Sequence, residues 1–178
     1  IVLTTMPENY TICSISRYTS APNSEQRIIT AISKNDGDPN TWNWLHGHHS
    51  KDEIGVAYYD SHPWMTEKSS VVQNSTDWLL FCGQNVDSQG KPSDPNGEHN
   101  HRQFKAWSWQ EKKILSRAKP NKNDVTKGDK EFGINLYPSH SGPWAVKEIV
   151  VWDRGLAEEE IDKVLLNFKD QLSDHTSF

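Results

Sequence analysis

The chain has 178 residues, enough to bury about two thirds of its unfolded surface in one core, so one domain spanning 1–178 is expected rather than two small ones. A net charge of −5 with scattered basic residues lacks the basic stripe that nucleic acid requires, and a mean hydropathy of −0.82 with no apolar run near the roughly 20 residues of a bilayer span excludes a membrane-crossing helix, so neither partner is expected. Eight tryptophans are too many for a disordered chain, because each forfeits a large burial gain when left in water.

The opening Ile1-Val2-Leu3-Thr4-Thr5 is too short for a signal peptide, and a mature protein or an excised domain is expected. Short β-rich segments between clusters of Gly, Pro, Asn, Asp and Ser predict strands over 10–19, 26–33, 42–48, 54–59, 78–84, 103–109, 132–137 and 145–152. In the first, Tyr10, Ile12, Ser14, Ser16 and Tyr18 alternate with Thr11, Cys13, Ile15, Arg17 and Thr19, the period of two of an extended strand. Residues 85–103 hold Asp87, Gly90, Pro92, Asp94, Pro95 and Gly97 beside His99 and His101, which supply no core face, and predict a long surface loop. A second such loop is expected over 119–130, with Pro120, Asn121, Asn123, Asp124 and Gly128. The chain closes with a helix over 157–172. There Ile161, Val164, Leu165, Phe168 and Leu172 share one face, and Glu158, Glu159 and Glu160 occupy the first turn, where the amide dipoles favour negative charge.

Two signals bear on compartment. Asn9-Tyr10-Thr11 and Asn74-Ser75-Thr76 fit the glycosylation acceptor pattern, which makes Asn9 and Asn74 candidate attachment sites. Cys13 and Cys82 are an even pair in separate strand-like segments; one bridge would close a loop of ~70 residues and contribute roughly 3 to 4 kcal/mol. Two buried free thiols in a reducing cell are the alternative.

The stretch Trp144 to Val164, WAVKEIVVWDRGLAEEEIDKV, closely resembles the closing strand and short helix of concanavalin A-like laminin-G and pentraxin domains, which end in a strand, a Trp-Asp-x-x-Leu turn and a Glu-Glu-Ile helix start. Ala157 stands where Ser usually caps that helix, a departure that weakens the cap by about 1 kcal/mol. Tyr10-Thr11-Ile12-Cys13 and Trp78-Leu79-Leu80-Phe81-Cys82 are similar to the two pentraxin strands whose cysteines bond across neighbouring strands. The resemblance implies an all-β fold, a two-sheet antiparallel jelly-roll sandwich with a short C-terminal helix, a Cys13 to Cys82 disulfide and an extracellular or cell-surface, secreted setting. Pentraxins bind phosphate-bearing ligands through calcium held by carboxylates, whereas the equivalent run here, Gly133-Ile134-Asn135-Leu136-Tyr137-Pro138-Ser139-His140, has none. Calcium therefore lacks its usual ligands, and no metal or other cofactor is expected.

The superfamily also contains glycosidases, which need two carboxylates about 5 Å apart, set on a strand as Glu-x-Asp-x-Glu or Glu-x-Asp-x-x-Glu. No predicted strand carries either pattern, and the pairs Asp52-Glu53 and Glu158 to Glu160 do not straddle a cleft, so catalysis is not expected. Trp42, Trp44, His46 and His48 share one face of a strand, and such a face suits a sugar ring lying flat on an indole. Trp64 extends the platform, and Asn85 is placed to hydrogen-bond a ligand. We therefore expect Trp44, His46, His48, Trp64 and Asn85 to contact a glycan, as in a lectin-like module. The plainer alternative is that this face lines the core, as a sandwich of this size must bury most of its Trp; the same choice applies to Trp107 and Trp109 around Ser108. A His-x-His pair also suits zinc or copper, but further ligands would have to come from His62, His99 or His101, and Asn35-Asp36-Gly37-Asp38 reads as a turn. A protein-interaction or structural module of an extracellular assembly, with no small ligand, is the alternative function.

Overall fold

The computed structural model describes residues 1–21, 26–33, 44–50, 53–59, 66, 76–91, 104–109, 113–114, 130–136 and 140–174. In chain order the elements are β1 (Val2–Thr5), β2 (Thr11–Tyr18), β3 (Ile29–Ser33), β4 (Trp44–Ser50), β5 (Glu53–Tyr59), β6 (Leu79–Gln84), β7 (Phe104–Ser108), β8 (Lys113–Ile114), β9 (Lys130–Ile134), β10 (Trp144–Trp152) and α1 (Glu158–Ser173). They form two antiparallel sheets, ordered β1-β9-β3-β4-β5 and β10-β2-β6-β7-β8. Each strand expected from alternation has a counterpart. Two were not expected: β8 spans only Lys113–Ile114, and β1 lies at a sheet edge with all four residues exposed, so no buried face imposes a pattern on it.

The sheets pack face to face because each supplies an apolar inner row. Ile12, Tyr18, Leu79, Phe81, Phe104 and Ala106 from one sheet meet Ile29, Ala31, Trp44, Ala57, Tyr59 and Phe132 from the other in one buried cluster. Each large side chain enclosed this way contributes about 1.5 to 3 kcal/mol. Gly47 and Gly55, at φ 90° and 70°, adopt a conformation that side-chained residues rarely accept. The β4 to β5 register passes from Gly47 opposite Val56 to His48 opposite Ile54; Gly55 is thus the extra residue of a bulge that returns both Ile54 and Ala57 to the core.

The outer face of the second sheet carries the alternate residues, Cys13 and Ile15 of β2 with Leu80 and Cys82 of β6. There α1 packs Ile161, Leu165, Phe168 and Leu172. Cys13 stands opposite Cys82 in the register, and the two are disulfide-bonded with a Cα separation of 4.1 Å. Closure of the helix over the bond leaves both cysteines fully buried. No helix among the described residues is long and apolar enough to cross a membrane.

Candidate functional site: a tryptophan and cation face

The same alternation that turns Leu79 and Phe81 inward turns Trp78 and Leu80 outward, and on β7 it turns Phe104, Ala106 and Ser108 inward and Lys105 and Trp107 outward. Leu79 pairs with both Ser16 and Ser108, and the Trp109 amide donates to the Trp78 carbonyl at 2.9 Å. Arg17, Trp78 and Trp109 therefore stand in a row across three neighbouring strands. Helix α1 covers the middle of the sheet but only part of Trp78, Trp107 and Trp109, which pack against the helix cluster and keep some surface in solvent.

Two cations are held on this face by indoles. The Arg17 guanidinium carbon sits 4.7 Å from the Trp78 ring centroid, and the Lys169 ammonium, from the last turns of α1, sits 3.4 Å from that of Trp107. The attraction is between positive charge and the electron-rich ring face. Arg17 Nε is buried without a hydrogen-bond partner. Lys105, also on this sheet face, differs: it is bound by Asp162 at 2.6 Å and Glu158 at 2.9 Å at the start of the helix.

The face expected from β4 is not open. Trp44, His46 and His48 do share one side of the strand, but that side is the interior, and all three are buried. Trp44 stacks on Tyr59 at 4.9 Å between centroids, and its Nε1 donates to Tyr10 Oη at 3.0 Å. His46 Nδ1 meets Tyr59 Oη at 2.6 Å, and His48 Nδ1 lies 3.4 Å from Ser16 Oγ. Burial lowers the pKa of both imidazoles from 6.5 to about 3, so they are neutral at physiological pH. The expectation that these three residues contact a ligand is corrected: the opposing sheet occupies the space a sugar would need.

Asn85 is corrected likewise. It is buried, with Oδ1 accepting the Tyr10 amide at 2.7 Å and Nδ2 donating to the Glu8 carbonyl at 2.8 Å, so both its polar groups clamp the backbone before β2. Asn9 is exposed. Trp64, Asn74, Trp42, His62, His99 and His101 lie outside the described residues. Among the described residues no group of three or more His, Cys, Asp or Glu is placed to hold a metal ion.

The Trp107 and Trp109 spacing marked a shared face in the sequence. The parts of Trp78 and Arg17 had no such signal, because they come from other strands and join the face only through the register. No protein-family model matches the chain, and a search of curated proteins finds no match to it.

Proposed function

We propose that the chain is a non-catalytic, lectin-like recognition module of extracellular or secreted proteins, with the jelly-roll connectivity of concanavalin A-like laminin-G and pentraxin domains, and that it binds glycan on the Trp78, Trp107 and Trp109 face. One observation carries the reading: three partly exposed indoles share one sheet face, beside the Arg17 and Lys169 side chains, which can donate to hydroxyls. Sugar rings present an apolar C–H face that lies against an indole. The disulfide fits an oxidising compartment, and the exposed Asn9 fits a glycoprotein. The test is a glycan array probed with and without calcium, repeated with Trp109→Ala. A defined set of binding glycans, weakened about tenfold or more by that change, is expected, since a stacked ring contributes on the order of 1 kcal/mol beyond its buried area. An array with no binder overturns the reading.

A second reading, a protein-interaction module, is favoured by β1. Ile1, just before this edge strand, and Val2 and Leu3 within it are 66%, 53% and 44% exposed, and Val2–Thr5 carries no charged side chain to block pairing with another strand. Self-association in sedimentation that Leu3→Lys abolishes would support it.

A further inference from the structure

We infer that the glycan taken by the tryptophan face is anionic, bearing carboxylate or sulfate groups that meet Arg17 and Lys169; the inference rests on the glycan-binding reading above. Three other cations around α1 are already engaged. Lys105 is paired with Glu158 and Asp162, Arg154 forks onto both Glu160 oxygens at 2.7 and 2.9 Å, and Lys147 donates to the Gln171 carbonyl at 3.0 Å. The acid of β10 that faces the helix, Glu148, is occupied by the Gln171 side-chain amide. Lys163 is simply exposed on the helix, whereas Arg17 and Lys169 rest on indoles, and among the described residues neither of these two is paired with a carboxylate.

The fixed geometry matters more than the charge itself. In the register Arg17 is flanked by Ala145 on β10, which offers no acceptor from its side chain, and Trp78 holds the guanidinium. A planar guanidinium held in this way is prepared to fork onto a carboxylate or sulfate, and less side-chain freedom remains to be lost on binding. Lys169 supplies a second positive charge on the same tryptophan surface, so a polymer with repeating acidic groups engages both. The net charge of −5 opposes indiscriminate attraction of polyanions, so affinity for one would have to come from a local arrangement.

The experiment is equilibrium binding of the whole chain to polymers of matched backbone: a polyuronate beside its carboxyl-reduced form, and a sulfated glucan beside the unsulfated one. Arg17→Gln, Arg17→Lys and the exposed-helix control Lys163→Gln are each compared with the parent chain, after thermal unfolding has shown which of them fold. At least one acidic polymer is expected to bind about tenfold or more tighter than its neutral partner, a preference that fades with added salt. The carboxylate and sulfate arms identify which group is recognised. Arg17→Gln should remove most of that preference while leaving affinity for the neutral polymer in place, Arg17→Lys should restore part of it, and Lys163→Gln should leave it intact. Equal binding of charged and neutral polymers, or equal loss in Arg17→Gln and Lys163→Gln, overturns the inference while the glycan-binding reading stands. Failure of every polymer, with no binder on the array, removes both.

Discussion

Helix α1 begins on Ala157, whose φ of −69° and ψ of 161° are those of an N-cap although its side chain can accept nothing. Half of a capping box is present: the Ala157 amide donates to Glu160 Oε2 at 2.9 Å, while the return bond from a side chain is missing and the Glu160 amide instead reaches the Ala157 carbonyl at 3.1 Å. Arg154 grips the same carboxylate and, with the Ala157 amide, lowers its pKa to about 2. Ala157→Ser supplies the missing acceptor in a backbone already shaped for it. A gain of about 1 kcal/mol is expected, read as a higher urea midpoint at unchanged slope. Gly155, two residues earlier, allows no such freedom. A Cβ there would lie 1.9 Å from the Asp87 carbonyl oxygen, so Gly155→Ala must displace backbone and should cost about 1 to 3 kcal/mol in the same assay.

Strand β4 places two imidazoles in the fully buried interior. His48 packs edge-on against Tyr18 with ring centroids 4.9 Å apart, and His46 lies 4.5 Å from Phe81. Around the two stand the titratable hydroxyls of Tyr10, Tyr18 and Tyr59, and burial raises the pKa of both Tyr18 and Tyr59. A histidine whose folded pKa is about 3 and whose unfolded value is 6.5 stays neutral in the fold while the unfolded chain takes up protons. The stability it contributes is therefore whole above about pH 6.5 and falls by up to about 1.4 kcal/mol per unit as pH drops toward 3. By about pH 5 each imidazole should have removed about 2 kcal/mol, and the two together a large share of the stability of an ordinary domain. Urea unfolding at neutral pH and at about pH 5 checks this, and His48→Gln should roughly halve the difference. A midpoint insensitive to pH would mean that both rings reach solvent, and half the expected change that one does.

Across the whole molecule the disulfide links two strands 69 residues apart in sequence and lies under the helix that shields it. Reduction, or the double change Cys13→Ala and Cys82→Ala, frees the unfolded chain and should cost about 3 to 4 kcal/mol. For a chain of this size that is a fall in Tm of about 10 °C, measured by calorimetry with and without reductant. An unchanged Tm would show that sheet and helix packing alone hold β2 against β6.

Period-two alternation and turn-forming clusters were enough to place the counterparts of β2 to β7, β9 and β10, and the apolar stripe of α1 was enough to place the helix, because those patterns express local backbone geometry. Alternation also showed that Trp44, His46 and His48 share a side, as do Trp107 and Trp109. It could not say which side meets solvent. That depends on which sheet stacks on which and where α1 lies, since burial is a property of contacts between distant segments. The tertiary structure encloses the β4 row and leaves the tryptophans of β7 partly open, and the strand register alone brings Arg17 and Trp78 beside them.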